Sequence, residues 1–110
     1  MKYAITSMGD TAGSRVDVHF ARCSYFALFD SDDTSLEFVK NPFKDVPEKA
    51  GQSAVKFLKE MGADVVISCE FGEKVKNHFN SMNMGMVIPD SDRTRIKEIT
   101  ELLVKKHNLK

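Results

Sequence analysis

The chain has 110 residues, enough to bury the core of one domain and too few for two. Hydrophobic residues make up 42% and charged residues 29%, which excludes a disordered or fibrous chain. Because 16 basic residues are balanced by 16 acidic ones, the chain lacks the excess of Lys and Arg that nonspecific nucleic-acid binding needs. We therefore predict a single globular domain over residues 1–110 that binds no nucleic acid.

The N-terminus and the cysteines indicate the cellular compartment of the protein. The start of the chain runs directly into an apolar strand-like segment and lacks the small-residue cleavage site of a secretory signal. No apolar run approaches the length of a membrane-spanning helix. Two cysteines, Cys23 and Cys69, are too few for a disulfide framework. We predict a cytoplasmic protein without a membrane partner, in which both residues are free thiols.

The first half of the chain reads as strands. Residues 2–8 form an apolar strand, which is followed by a long polar loop that continues to about residue 22. Residues 25–29 are aromatic and apolar, and the alternation over residues 35–38 indicates the second strand of a hairpin. Because a short connection joins antiparallel neighbours, we expect these two strands to run in opposite directions.

The second half alternates helices and strands. Apolar residues recur at helical spacing from Ala50 to Met61, which predicts a helix with Asp45 as its cap and Gly62 just past its end. A continuous β-branched run at residues 65–67 indicates a strand that is covered on both faces, and we expect it at the centre of the sheet.

Two more helices and one strand complete the pattern. A short helix is predicted from about Gly72 to Met82, and a buried strand at residues 85–88. The last helix is predicted to start near Asp92, with four apolar residues facing inward: Ile96, Ile99, Leu102 and Leu103.

This order of elements predicts a three-layer α/β fold with helices on both faces of a mixed five-stranded sheet. Right-handed crossovers make the first, fourth and fifth strands parallel, with one antiparallel strand beside the first. The carboxyl ends of the parallel strands then lie at one edge, where ligands of open α/β sheets bind. We expect the stretch His19 to Cys23 to meet the turn Cys69 to Gly72 there.

Several side chains at this edge could hold a metal or an anion. Thiolates from Cys23 and Cys69, with the His19 imidazole, would suit a soft metal, although they are too few for a closed zinc site. Backbone N–H groups near Gly72 could bind an anion at a helix start, and the loop residues Arg15 and Arg22 could add positive charge. Buried packing explains the cysteines about as well, and surface salt bridges explain the arginines.

Other histidines and carboxylates give further hypotheses. His78 and His107 are expected on solvated helix surfaces. Asp10, Glu70 and Asp90 follow three parallel strands and could hold Mg²⁺ or Mn²⁺ for phosphoryl transfer or hydrolysis, which would make the protein an enzyme. A regulatory domain that binds another protein is a third hypothesis.

The segment Ser14 to Phe26, SRVDVHFARCSYF, resembles the signature of the dinitrogenase iron-molybdenum cofactor biosynthesis family. The opening strand, Asn41-Pro42, Ala50-Gly51 and the run from Gly62 to Ile67 followed by Gly72 agree with that family. Two features depart from it: Ala21 stands where the family commonly has Gly, and Cys69-Glu70-Phe71-Gly72 replaces a more glycine-rich turn.

The resemblance implies a ribonuclease-H-like fold and a noncatalytic carrier that binds, stores or transfers an iron-molybdenum or related metal-sulfur cluster. From the predicted convergence at the sheet edge, we expect the cluster to contact Arg15, His19, Arg22, Cys23, Cys69 and Gly72. The partners would be proteins that build or accept the cluster. We expect a monomer or weak homodimer.

Overall fold

The computed structural model describes residues 1–108; Leu109 and Lys110, at the end of the predicted domain, lie outside the described residues. Within that range five strands and three helices alternate much as the sequence predicts. In chain order they are β1 (Lys2–Ser7), β2 (Tyr25–Asp30), β3 (Leu36–Lys40), α1 (Ala50–Glu60), β4 (Val65–Ile67), α2 (Glu73–Ser81), β5 (Gly85–Val87) and α3 (Ile96–Asn108).

The sheet has the strand order β3-β2-β1-β4-β5. β2 is antiparallel to both β1 and β3, whereas β1, β4 and β5 are parallel to one another. The mixed five-stranded sheet with one antiparallel strand is therefore confirmed. The expectation that β4 is central is wrong, because β1 takes that place and β4 lies beside it. A continuous apolar run indicates that both faces of a strand are buried, as they are in β4. It does not indicate whether the strand lies at the centre of the sheet.

Side chains of the sheet alternate between two cores. Ala4 and Val66 face the core that contains residues of α1 and α2, whereas Tyr3 and Ile5 face the core that contains residues of α3. Both sets are almost completely buried. The structure thus confirms three layers with helices on both faces.

Helix α1 starts later than the sequence predicts. Its N-cap is Lys49, with φ 60° and ψ 27°, so the predicted cap, Asp45, lies in the preceding loop. Its end agrees with the prediction: Gly62 has φ 91°, the left-handed conformation that glycine adopts without strain after a helix. The N–H of Ala63 donates to the Leu58 carbonyl at 3.0 Å and closes that end.

Helix α3 also starts later, at Ile96 rather than near Asp92. The Glu98 carboxylate accepts a 2.9 Å hydrogen bond from the N–H of Arg95, which satisfies a donor at the helix start. Leu102, predicted to face inward, is 63% exposed, because Ile96, Ile99 and Leu103 form the inward stripe without it. No helix among residues 1–108 is both long and apolar enough to cross a membrane.

Candidate functional site

The loop after β1 runs along the end of β4. The N–H of Glu70 donates to the Val18 carbonyl at 2.9 Å, and His19 and Glu70 form an isolated parallel bridge. The ring centroids of Phe20 and Phe71 are 5.7 Å apart. The prediction that the two segments meet at the carboxyl edge of the sheet is therefore confirmed.

Buried hydroxyl groups hold this loop in place. The Thr6 hydroxyl donates to the Asp17 carbonyl at 2.8 Å and lies 3.0 Å from the hydroxyl oxygen of Ser68. Both hydroxyl residues are fully buried. The N–H of Asp17 donates in return to the Thr6 carbonyl at 2.9 Å. Since buried polar groups are costly to leave unpaired, this network fixes the position from which His19 projects.

A cleft of about 850 Å³ opens between this loop and the starts of α1 and α2. Both helices begin at it, and it extends to a histidine in the second turn of α2. Its walls are formed by His19, Phe20, Ala21, Arg22, Glu48, Lys49, Ala50, Gly51, Gln52, Glu70, Gly72, Glu73, Lys74, Val75 and His78.

The backbone adds positive partial charge to the cleft. The N-cap residues of α1 and α2, Lys49 and Gly72, make no side-chain hydrogen bond to the helix start, and the first N–H groups of a helix have no partner within it. Each helix N-terminus carries a partial positive charge, and here two of them meet at one cleft. The formal charges of the side chains on the walls cancel, with three basic residues, Arg22, Lys49 and Lys74, and three acidic ones, Glu48, Glu70 and Glu73. The arrangement suits an anion with several acceptor atoms.

The two N-cap positions carry different kinds of residue. Lys49 is in the left-handed conformation, which usually favours glycine or asparagine. Gly72, in contrast, has an ordinary φ of −65°, and a Cβ there would meet nothing within 4 Å. Backbone geometry therefore disfavours the lysine, and it does not require the glycine, which is a common N-cap residue. A cationic side chain at one helix start and a bare backbone at the other would both favour close approach of an anion.

The two predicted arginines have different positions. Arg22 lines the cleft, and its guanidinium donates to the carbonyls of Lys44 and Val46 at 3.0 and 2.7 Å. Arg15 forms an antiparallel bridge with Arg95, beside the start of α3, and is not part of the cleft wall. The loop between β1 and β2 is long enough to place Arg15 beside the start of α3 and Arg22 at the cleft. Arg15 is therefore not brought to the predicted site.

The two cysteines lie outside the cleft. Cys23 is fully buried in the core on the α1 and α2 side, and burial, with a smaller contribution from Asp17, raises the pKa of its thiol to about 12. Cys69 is half-buried and packs against the core on the α3 side, where burial raises its thiol pKa. It lines a separate hollow of about 460 Å³ with Met86 and Ile88.

The predicted sets of metal ligands do not converge. In the part of the chain that the structure describes, no three His, Cys, Asp or Glu side chains are grouped so that they could hold a metal ion. His19, Cys23 and Cys69 are thus not one ligand set, because the sheet separates the two thiols into opposite cores. The same finding applies to the carboxylates proposed for an enzyme: Asp10, Glu70 and Asp90.

The sequence matches a family model over residues 1–106, described as "Dinitrogenase iron-molybdenum cofactor". The chain belongs to this family. A search of curated proteins gave no match.

Three solved structures share the fold of this member of the iron-molybdenum cofactor family. The apo orange protein from Desulfovibrio gigas has a TM-score of 0.86 at 21% identity, over 96% of this chain and 88% of the other. PH0822 has a TM-score of 0.80 at 25% identity, over 96% and 92%. A putative NifB protein from Thermotoga, TM1290, assigned to the DUF35 family, has a TM-score of 0.76 at 22% identity, over 94% and 87%.

Six polar or charged cleft residues of this family member were missed from its sequence: Glu48, Lys49, Gln52, Glu73, Lys74 and His78. His78 was expected on a solvated surface, yet it is half-buried and lines the cleft. His107 was also expected on a solvated helix surface. Its Nε2 lies 2.7 Å from the Tyr3 hydroxyl oxygen. The correct start of α1 would have identified Lys49 and Gln52, since both then fall at a helix N-terminus.

The thiols should differ in reactivity. Under native conditions at about pH 8, we expect iodoacetamide to alkylate Cys69 and leave Cys23 unmodified, because Cys23 is inaccessible and its raised pKa suppresses the thiolate. Mass spectrometry should find one adduct per chain, and two after unfolding in guanidinium. Rapid native alkylation of Cys23 would contradict its burial. Cys69→Ala should remove the native adduct.

Proposed function

We propose that this protein binds an anionic iron-molybdenum or related metal-sulfur cluster in the cleft, and stores it or transfers it without catalysing turnover. The observation that carries the proposal is the convergence of two uncapped helix starts on one cleft beside His19. Membership of the family supports an iron-molybdenum or related metal-sulfur cluster as the ligand. We further propose that the fold is of the ribonuclease-H-like type.

The cleft residues divide into three roles. Backbone N–H groups of Ala50, Gly51, Glu73 and Lys74 would donate hydrogen bonds to sulfide or oxide atoms of the cluster. The ammonium groups of Lys49 and Lys74 would offset its negative charge. The imidazole of His19, whose side chain is 66% exposed, would supply a direct metal ligand.

Thiolate ligation is not needed in this arrangement. Ionising Cys23 at neutral pH is unfavourable because of its raised pKa, and we propose that the residue serves core packing. Cys69 lines a hollow that shares Glu70 and Gly72 with the cleft wall. We propose Cys69 as an auxiliary soft contact near the cluster.

The exposure of the site favours a carrier. The side chains of His19 and Glu70 are 66% and 71% exposed, so a bound cluster would remain accessible from solvent. Direct transfer to another protein requires such access. We propose that donors and acceptors of cluster biosynthesis in the cytoplasm are the partners, and that the carrier is a monomer or weak homodimer.

Metal retention tests the proposal. The protein is incubated without oxygen with iron, molybdate and sulfide, passed through gel filtration and analysed for metal. We expect near-stoichiometric molybdenum in the protein fraction, with a charge-transfer absorption from the metal-sulfur unit. Absence of retained metal would contradict the proposed function.

Gly72→Ala should weaken retention without destabilising the fold. The φ of −65° suits alanine and its Cβ has open space, so the gain from a less flexible unfolded chain, about 0.4–1 kcal/mol, offsets the poorer fit of alanine to an N-cap position, and we expect the free energy of unfolding to change by less than about 1 kcal/mol. The methyl group would separate the cluster from the N–H groups of α2 and reduce affinity about tenfold, the effect of losing about one charge-assisted hydrogen bond.

A matched control is Gly13→Ala, since a Cβ at Gly13 meets only the Thr11 hydroxyl oxygen at 4.0 Å and the residue lies outside the cleft. Its cluster affinity should equal that of the wild type. Equal affinity of Gly72→Ala and wild type would show that the cluster does not approach the start of α2.

A further inference from the structure

A buried amide lies behind the wall of the cleft. Asn41, which follows β3, is 4% exposed. Its side-chain NH₂ donates to the carbonyls of Ala21 and Cys23 at 2.8 and 2.9 Å. Its side-chain oxygen accepts from the N–H of Phe43 at 2.9 Å. One side chain therefore links the loop that ends in the cleft wall to the connection that leads to α1.

Further hydrogen bonds join the same two segments. The N–H of Asn41 donates to the Ser24 carbonyl at 3.0 Å, and the Lys44 ammonium donates to the Ser24 hydroxyl at 3.0 Å. From the other side, the Arg22 guanidinium binds the carbonyls of Lys44 and Val46. Among these groups only Asn41 is buried, so its bonds compete least with water and are costliest to lose.

The linkage lies between two walls of the cleft. One wall is the segment from His19 to Arg22, and Asn41 donates a hydrogen bond to the Ala21 carbonyl within it. The other is the start of α1, which the chain reaches from Asn41 through residues 42–49. We propose that Asn41 is a positioning residue that sets the separation of the two walls, and so tunes the cleft for its anionic ligand. This inference rests on the proposed function for its ligand.

Asn41→Asp isolates the linkage. The carboxylate has nearly the same shape and can still accept the hydrogen bond from Phe43. An ionised carboxylate cannot donate, and a protonated one donates a single hydrogen bond, so at least one of the two hydrogen bonds to carbonyl oxygens becomes a repulsive contact between oxygen atoms. The segments should separate at Ala21 and Cys23 while the turn at residues 41–43 persists.

Affinity is measured by anaerobic titration with tetrathiomolybdate, the simplest soluble molybdenum-sulfur anion, well below the unfolding temperature. We expect Asn41→Asp to bind at least about tenfold more weakly than wild type. Ile99→Ala is the control, because Ile99 lies in the core on the opposite face of the sheet and its loss lowers stability without touching the cleft. Equal losses of affinity in both variants would overturn the positioning role.

Hydrogen exchange provides a readout that needs no ligand. In Asn41→Asp we expect faster exchange in peptides covering residues 19–24 and 43–52, with residues 96–108 unchanged. Exchange that rises only near residue 41, or uniformly over the chain, would overturn the inference. If wild type binds no tetrathiomolybdate while both cleft peptides exchange faster in the variant, the proposed function fails and Asn41 still sets the wall geometry.

Discussion

Replacing Phe79 with alanine is expected to lower the free energy of unfolding by about 3–5 kcal/mol, the usual cost of truncating a buried aromatic residue. Phe79 is fully buried in α2. Its ring centroid lies 5.1 Å from that of Phe20 and 5.4 Å from that of Phe71. Those two rings come from the two loops that meet at the sheet edge, so the cavity would also loosen the cleft.

Denaturant unfolding monitored by circular dichroism measures this effect. Leu102→Ala is the matched control in α3: it also truncates a large apolar residue, but Leu102 is 63% exposed, and the change should stay within about 0.5 kcal/mol. Similar values for the two variants would contradict the described core. Phe79→Ala should also retain less cluster than Leu102→Ala.

Reversing two charges at the helix starts, Lys49→Glu with Lys74→Glu, is expected to reduce cluster affinity by about a hundredfold or more. Both lysines line the cleft. Each reversal turns an attraction into a repulsion, and a charge pair near a protein surface interacts by about 1–4 kcal/mol at 4 Å. The loss should shrink as salt is added, because the side chains are exposed.

Anaerobic titration with tetrathiomolybdate at two salt concentrations measures the effect. Lys40→Glu with Lys97→Glu carries the same change in net charge at exposed residues outside the cleft. If the cleft binds the anion, this control loses far less affinity than the cleft variant. Equal losses in the two double variants would mean that only the overall charge of the protein matters.

The position of the candidate site could be predicted because it follows from strand order. Apolar periodicity located the strands, and the crossover rule placed the ends of β1 and β4 at one edge. That was sufficient to bring His19 to Glu70. Gly72 was predicted for the same reason, since it ends the turn that leads from β4 to α2.

The start of α1 could not be predicted, because nonlocal contacts override local preference there. Asp45 and Pro47 are typical of a helix start. In the structure the carbonyls of Lys44 and Val46 instead accept hydrogen bonds from Arg22, which is distant in sequence and holds this stretch as a loop. The helix therefore begins only at Ala50, and Lys49 then lies at the cleft.

The cysteines show a second limit of sequence reasoning. Thiols are soft metal ligands by chemistry, but whether they reach a ligand depends on which face of the sheet they occupy. Cys23 precedes β2 and turns into one core, whereas Cys69 follows β4 and packs against the other. A one-residue change of register reverses a side chain's face, and loop residues have no period from which to read it.

Amide chemical shifts of ¹⁵N-labelled protein, recorded without oxygen during titration with tetrathiomolybdate, test the central claim most directly. The claim predicts saturable shifts at the starts of both helices, at Ala50, Gly51, Glu73 and Lys74, and at His19 across the cleft, with α3 unaffected. Shifts confined to the hollow at Cys69 and Met86, or none at either helix start, would contradict binding in the cleft.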